Sequence, residues 1–541
     1  MGRSRLPLVA CALAAICAAA EPAMATTAAA PAHAAASADG ANKFNIWEFR
    51  ILGAHVLPVR VIERAVYPYL GPSRDINSVK AAVASLEQAY KKAGYGAIYV
   101  DIPEQEVSEG IVRLRVTEGL LARVRVRGER YFSGRQILAQ LPALELGQTP
   151  NLPALSKQVA VLNAETADRT VTPVLEAGST PGTMDVDLDV KDQLPLHGSV
   201  QFDNRHTADT VPNRVTGSLS YDNLWQAQHS LSLVYQTAPS DPRNDVIESA
   251  TYLAPLGGPN SVSFSYSRTS SNVLALGTLG VLGSGDIYGA HWDRAMTISD
   301  ASAGALDLGA DFKHVNTEVL PNPTNGTSTT AVTAPVKYIN WSGTYAENWR
   351  LPTNTLAMSL GINYGVQGLE NYETEFENAR YQASPSYLYL RLSGQATQNL
   401  PFGVSLLGRF TGQWSDSPLI NNEQFSLGGV DTVRGYLEAE ALGDTGIAGS
   451  FELHLPDLGQ HLVPAFNQLY TYAFVDGGVA TLLDPLPAQF ARLSLWSTGA
   501  GVRFVNPWGL TGALDYAIPM VSGVQTKKGD SHVDFSVRYG F

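Results

Sequence analysis

The sequence predicts a transmembrane β-barrel of about sixteen antiparallel strands, preceded by two small α+β domains of βααββ order. Three observations carry that prediction. Past Asp192 the chain breaks into short alternating runs separated by Gly, Asn, Asp, Ser and Pro. Before it, one strand–helix–helix–strand–strand pattern occurs twice. The chain also ends on an alternating apolar run whose last residue is Phe541.

The first residues read as a secretory signal peptide, residues 1–25. Arg3 and Arg5 form a positive region, Leu6 to Ala20 is apolar but too short to span a bilayer, and small residues follow at Ala23-Met24-Ala25. Residues 26–43 are Ala-rich, broken by Pro31, and read as a linker. Both cysteines, Cys11 and Cys17, fall in the removable segment. The mature chain is therefore expected to carry no disulfide, thiolate metal site or cysteine nucleophile. A net charge of −13 argues against a nucleic-acid partner, which calls for a basic face. Mean hydropathy near zero fits a barrel whose strands alternate, and no apolar run of eighteen follows residue 20. If the chain spans a membrane, it does so with strands.

The first α+β unit, residues 44–119, opens with Trp47, Phe49 and Ile51 alternating against Glu48 and Arg50. Pro58 suits the first position of a helix presenting Val59, Ile62 and Val66. Asn77 or Ser78 is expected to cap a second helix carrying Val79, Val83, Leu86 and Tyr90, with Lys91 and Lys92 in the last turn and Gly94 as the stop. Strands follow at Ile98-Val100-Ile102 and Val112-Leu114-Val116. The second unit, residues 120–192, repeats the order. Val124 and Val126 alternate with Arg123, Arg125 and Arg127, and helices cover about Gly134–Leu141 and Leu152–Leu162. A strand lies near Thr170–Leu175, and Met184, Val186, Leu188 and Val190 alternate with Asp185, Asp187 and Asp189. The repeat is evidence internal to the chain.

From residue 193 to 541 helical periodicity is gone. Leu356, Met358, Leu360, Ile362 and Tyr364 alternate with small or polar residues, as do Leu231-Leu233-Tyr235 and Val262-Phe264-Tyr266. Leu388, Leu390 and Leu392 face away from Tyr387, Tyr389 and Arg391. An apolar outside and a polar inside is what lipid demands of a barrel, and closure pairs every backbone group. The roughly 350 residues allow about sixteen strands at roughly 22 each with its connection. Seven of the eight tryptophans lie here, as interfacial girdles require.

One segment departs from the alternation. Leu427-Gly428-Gly429-Val430-Asp431-Thr432-Val433-Arg434-Gly435-Tyr436 is glycine-rich around a single arginine, and continues to Gly443, Gly446 and Glu452. An arginine inside a barrel needs an acidic partner. Some forty residues on stands Phe474-Val475-Asp476-Gly477-Gly478, on an apolar strand.

Val433-Arg434-Gly435-Tyr436 resembles the VRGY tetrad in the sixth extracellular loop of the Omp85 superfamily. Phe474, Asp476 and Gly478 resemble its F-x-D-x-G strand motif, whose aspartate faces the loop arginine. The βααββ units resemble POTRA domains, with Gly94-Tyr95 and Val116-Thr117-Glu118-Gly119 similar to the first-domain signature. Phe535, Val537, Tyr539 and Phe541 resemble the C-terminal signal read by the outer-membrane assembly machinery. Two such units before one barrel, with Asp203-Asn204, Arg214, Gly217, Tyr221-Asp222-Asn223-Leu224 and Tyr252 to Gly257, resemble the TpsB transporters of two-partner secretion, the haemolysin-activator type. Residues 26–43 depart from it, lacking the amphipathic face of a pore-plugging helix.

The resemblance implies an outer-membrane transporter, its POTRA domains in the periplasm. These would capture the N-terminal secretion domain of one large exoprotein, and the barrel, set in outer-membrane lipid, would pass it to the surface. Arg434 and Asp476 would hold the loop in its transport-competent position. No Walker loop is present, so the energy is expected from client folding outside. The alternative within the superfamily is an assembly factor for outer-membrane proteins, which usually carries three to five POTRA units. No enzyme, metal or cofactor is expected: no G-x-S-x-G occurs, and His197, His206, His229, His291, His314, His454, His461 and His532 are scattered without ligand spacing.

Overall fold

The computed structural model describes residues 43–541, apart from 108, 209, 244, 271–283, 300, 320–331, 460–464 and 488. The expected signal peptide, the linker up to residue 42 and the question of a plug helix there lie outside the described residues. The chain forms two compact units, one ending at Pro195 and one running from Leu196 to Phe541.

In the N-terminal unit the repeated order becomes two three-stranded sheets of identical topology. Strand Ile111–Glu118 lies between Glu48–Leu52, parallel to it, and Ile98–Asp101, antiparallel. Strand Thr183–Asp192 lies likewise between Leu120–Arg127 and Arg169–Ala177. Helices Val59–Val66 and Ile76–Lys92 cover the first sheet, burying Ile62, Val66, Val79, Leu86 and Tyr90 against Val112, Leu114 and Val116. Helix Leu152–Ala164 closes the second core with Leu155, Val159 and Leu162.

Several local expectations move. The cap of the long helix is Asp75, whose carboxylate accepts the Ser78 N–H at 2.9 Å, rather than Asn77 or Ser78 themselves. Pro58 is the residue before the first helix, Val59 is exposed, and Ala65 takes its place on the buried face. Trp47 is exposed ahead of the strand it was expected to open. An added ribbon pairs Phe44–Ile46 with Gly71–Arg74.

The motif residues of the first repeat have structural work. Glu118 is buried and accepts from the backbone of His55 (2.8 Å) and Val56 (3.1 Å) and from the Tyr90 hydroxyl (2.8 Å). Gly94 has φ +94°, and a Cβ there would lie 2.8 Å from the Asn151 side chain, which caps the helix of the second repeat. Its carbonyl accepts the Leu152 N–H at 2.9 Å, so this glycine joins the two repeats.

The alternating arginines and aspartates of the second repeat face each other. Parallel pairing sets Arg123, Arg125 and Arg127 opposite Asp185, Asp187 and Asp189. Arg125 donates to both Asp187 oxygens at 2.8 and 3.0 Å, and Arg127 reaches the same carboxylate at 2.6 Å. Opposite charges directly across a sheet fix its register as well as adding stability.

In the second unit, sixteen strands among the described residues close into one antiparallel barrel. They are Leu196–Asp203, Arg214–Leu224, His229–Thr237, Val246–Gly257, Asn260–Thr269, Ser284–Ser299, Ser302–Val319, Val332–Arg350, Asn354–Gly365, Leu388–Asn399, Ser405–Ser415, Thr445–His454, Gln468–Thr481, Arg492–Val505, Leu510–Pro519 and His532–Gly540. Leu356, Met358, Leu360, Ile362 and Tyr364 are all exposed on the outer face, and Tyr387 and Tyr389 are buried on the inner one, as the alternation predicts. No described helix is long and apolar enough to cross a membrane.

Closure rests on the junction of the sixteenth strand with the first. Five residue pairs register there, from Ser536↔Asp203 to Gly540↔Ser199, against eighteen between the seventh and eighth strands. Two further backbone bonds between Gly198 and Phe541 extend it. Val537, Tyr539 and Phe541 are exposed on the outer face, and Phe535 packs on Phe202 with centroids 5.5 Å apart.

The Arg125 guanidinium, with Arg127 and Arg123 behind it, holds the Asp187 carboxyl below its usual range despite some desolvation. A depressed carboxylate stabilises the fold above its unfolded pKa and loses that contribution as pH falls through the folded value. Urea unfolding of fragment 43–195 should therefore show Asp187→Asn with a lower midpoint than the parent at pH 7, the gap closing below about pH 4. A gap of equal size at pH 7 and pH 2 would exclude the ion pair as its source.

Candidate functional site

The connection between the eleventh and twelfth barrel strands, residues 416–444, is the sixth on its end of the barrel and folds inward. Its limbs pair as a short ribbon, Phe425–Leu427 with Ala441–Gly443. Phe425, Leu427, Val433 and Tyr436 form an apolar cluster with Ala448, Ala480 and Leu495 of the wall. The tip is a tight turn: Gly428 N–H donates to Thr432 Oγ1 (2.9 Å), and Gly429 N–H to the Val433 carbonyl (3.1 Å).

Arg434 is completely buried, and the expected pairing with Asp476 is present in full. Its Nε donates to Asp476 Oδ2 at 2.7 Å, its Nη2 to Oδ1 at 2.8 Å, and its backbone N–H to Oδ2 at 3.1 Å. Nη2 also donates to Ser450 Oγ at 3.0 Å. The guanidinium lies 3.5 Å above the Phe474 ring centroid, so the phenylalanine of the strand motif is its stacking floor. Nη1 is 2.9 Å from Glu452 Oε1, but without hydrogen-bonding angles, and the contact is electrostatic.

Around that pair the wall supplies a balanced set. Arg409 and Arg503 approach Glu452 at 3.9 and 3.8 Å, His454 Nε2 is 2.8 Å from its other oxygen, and Asp515 lies 3.8 Å from Arg434. Three guanidiniums thus meet three carboxylates, which is how ionised groups are kept from water at tolerable cost. Burial alone would push Arg434 down, but Asp476, with Glu452 and Asp515, outweighs it and holds the guanidinium firmly charged.

The two glycines of the motifs answer to close approach. Gly435 has φ +88°, and a Cβ would meet the Ala517 Cβ at 3.0 Å. At Gly478 a Cβ would fall 2.5 Å from Leu427 and 2.8 Å from the Ile447 carbonyl, where the ribbon crosses the strand. The Tyr436 hydroxyl lies 2.8 Å from the Val521 carbonyl and 3.0 Å from that of Trp496, seating the loop on the fourteenth strand and the connection after the fifteenth.

Arg434 and Asp476 are legible in the sequence, whereas the loop's other fastenings are not. Glu438 Oε1 accepts from Arg205 Nε at 2.8 Å, and Arg205 also pairs with Asp431, tying the tip to the connection after the first strand. Glu440 accepts the backbone N–H groups of Gln525 (2.6 Å) and Thr526 (2.8 Å). Asp444 is fully buried, receives Arg380 through both oxygens and accepts from Leu483 N–H at 2.7 Å. Glu423, 1% exposed, accepts from Lys313 Nζ and from the Tyr338 and Tyr389 hydroxyls, each at 2.6 Å. The available signal was a lysine at an inward position of an alternating strand, Lys313, and a loop with four acidic residues between Asp431 and Asp444. Of the histidines scattered in sequence, His291 lies between Asp307 (3.1 Å) and Asp311 (3.3 Å), and His532 beside Asp534 (3.3 Å), while His461 lies outside the described residues.

The haemolysin secretion/activation protein family ShlB/FhaC/HecB matches residues 182–504, and the ShlB-type POTRA domain matches residues 44–119. The outer membrane transporter CdiB of Dickeya dadantii (strain 3937) is 24% identical over 473 residues, 86% of this chain and 81% of that protein. CdiB from Escherichia coli superposes with a TM-score of 0.60 at 19% identity, covering 94% of this chain and 93% of that one. BamA from Haemophilus ducreyi lacking POTRA domains 1–3 gives 0.56 at 14% identity, covering 92% and 100%. These superpositions establish the shared fold.

Breaking a buried ion pair by removing one partner costs about 3–5 kcal/mol. Asp476→Ala should therefore release the tip. Arg434 is the one basic residue in 416–444, so trypsin added to the folded protein should then cut after it, yielding the fragment Gly435–Phe541. The parent should resist. Equal resistance in both would show that Asp476 does not hold the loop.

Proposed function

The chain belongs to the haemolysin secretion/activation protein family ShlB/FhaC/HecB, and on that premise we propose that it is an outer-membrane transporter carrying a large partner exoprotein from periplasm to cell surface. The observation that carries the reading is Arg434, held inside a closed sixteen-stranded barrel by an aspartate of the wall. A passive pore has no need of a loop whose arginine is buried with three carboxylates, since the same lumen could be lined by solvated side chains.

In this proposal residues 1–25 are a signal peptide, 26–43 a linker, 44–119 and 120–192 two POTRA domains, and 193–541 the barrel. Val433, Arg434, Gly435 and Tyr436 form the transport loop, Phe474, Asp476 and Gly478 its seat, and Phe535, Val537, Tyr539 and Phe541 the assembly signal. The two periplasmic sheets each leave outer strands, Glu48–Leu52 and Ile98–Asp101 in the first, Leu120–Arg127 and Arg169–Ala177 in the second. An extended client segment can add to such an edge through main-chain hydrogen bonds, with little dependence on its sequence. Pro173 lies in the last of these strands, where a missing N–H weakens it as a docking edge. Energy comes from the client folding outside, and no step asks for catalysis. The family match and the two βααββ repeats favour a secretion transporter over an assembly factor.

In its native host, Arg434→Ala should cut surface exoprotein at least tenfold, while the barrel still migrates as a folded, heat-modifiable species on gels. Normal secretion by that variant would remove the loop from the mechanism. Deleting residues 44–119 should abolish co-purification of the client. Unchanged binding would assign capture elsewhere.

A further inference from the structure

Loop 416–444 is fastened around its tip, through Arg434, Tyr436, Glu438 and Glu440, and again on the limbs below its ribbon, and only the tip belongs to the motif. The tip, at Arg434, is held by the twelfth and thirteenth strands. The two limbs below the ribbon are held elsewhere. Glu423 stands just before strand Phe425–Leu427, and its carboxylate is shared by Lys313 of the seventh strand, Tyr338 of the eighth and Tyr389 of the tenth. Asp444 stands just after strand Ala441–Gly443 and is gripped by Arg380, which also donates to the Leu483 carbonyl at 2.9 Å.

Both anchors engage a second inserted element. Helix Glu373–Ala379, in the connection after the ninth strand, packs on the eighth strand: Phe376 is fully buried, 5.6 Å from the Tyr338 ring and 6.2 Å from the Tyr387 ring. Arg380 follows that helix directly. Leu419 and Ile420 of the loop join the same cluster with Val315 and Val336, inward residues near the long-loop ends of their strands. An apolar cluster inside a membrane barrel excludes water from the part it fills, and here two buried carboxylates hold it in place.

We infer that Glu423 and Asp444 are positioning residues that hold the limbs of loop 416–444, together with helix Glu373–Ala379, across the mouth of the barrel, and that this seal is separate from the Arg434 contact. The inference rests on reading the chain as a transporter with a pore. Glu423 carries charge into the cluster because a lysine and two phenols meet it. Neutralising it leaves Lys313 buried without its closest carboxylate and removes the tie to three strands at once. Releasing Arg434 removes the tip's ion pair with the thirteenth strand and leaves both limbs pinned.

The test uses the purified full chain in planar lipid bilayers with potassium chloride as the probe. Four proteins are compared: the parent, Asp444→Asn, the paired change Lys313→Met with Glu423→Gln, and a chain lacking residues 418–442. The paired change avoids an orphaned lysine, so a folding failure is not built in, and heat-modifiable migration checks that each barrel is closed. The expected result is a parent of low current and at least a tenfold rise in mean current for both latch variants, with barrel migration unchanged. Arg434→Ala should raise the current less than either. Current at the parental level in both latch variants, with the loop deletion conducting, would overturn the inference and leave the transporter reading intact. Silence of every protein, the loop deletion included, would overturn the pore on which both depend.

Discussion

The constraint from which this barrel follows is that lipid offers no hydrogen bonds. An unpaired backbone group in hydrocarbon costs several kcal/mol, so a membrane sheet has to close. Sixteen strands close here, and their outer face carries the leucines, methionine and tyrosine that alternate along strands such as Asn354–Gly365. Closure creates an interior, and the same alternation makes it polar. An interior of this kind conducts unless something occupies it. The chain supplies its own occupants, and these occupants carry the charged residues that set it apart from a simple barrel.

Occupancy from within brings its own electrostatic requirement. Arg434 is buried beyond the reach of solvent, and a lone guanidinium there would be prohibitive. Its planar fork matches the Asp476 carboxylate through two nitrogens, and its face lies on Phe474. Lysine offers neither the fork nor the flat face, so the residue type follows from the geometry of the seat. The surrounding arginines and carboxylates extend the balance, with Glu452 facing Arg434, Arg409 and Arg503 together. The glycines belong to the same logic: Gly435 and Gly478 are places where the loop comes too close to the wall for a side chain.

Much of this was readable from sequence because period-2 alternation and the βααββ repeat are local patterns, and the arginine and aspartate motifs come with fixed spacing. The Arg123, Arg125, Arg127 and Asp185, Asp187, Asp189 series was visible too, though its meaning as a facing ladder depended on strand order, which periodicity does not encode. Asp75 displaced Asn77 and Ser78 as a cap because all three residue types qualify and only the path of the chain chooses among them. The anchors at Glu423 and Asp444 were out of reach for a different reason. Lys313 and Glu423 are 110 residues apart, and a lone acid in a polar loop has the same local signature whether it is solvated or buried against three strands.

The loop and the weakest junction of the barrel are physically one assembly. The first strand meets the sixteenth over five registered pairs. Beyond them Asn204 takes over, its amide donating to the Val533 carbonyl at 2.7 Å and its oxygen accepting the Phe535 N–H at 2.9 Å. The next residue, Arg205, holds Glu438 and Asp431 at the tip of the inserted loop, and Glu438 N–H donates to the His206 carbonyl at 3.1 Å. One short connection therefore binds the junction on one side and the loop on the other. A loop rich in positive-φ glycines has little shape of its own, so its position is whatever these partners impose. Arg205 supplies the guanidinium for two carboxylates of the loop tip, Glu438 and Asp431, from the connection that follows the first strand. The structural link between the junction and the loop is a contiguous set of hydrogen bonds rather than mere proximity. The seam of the wall and the loop in the lumen therefore share one connection, residues 204–206.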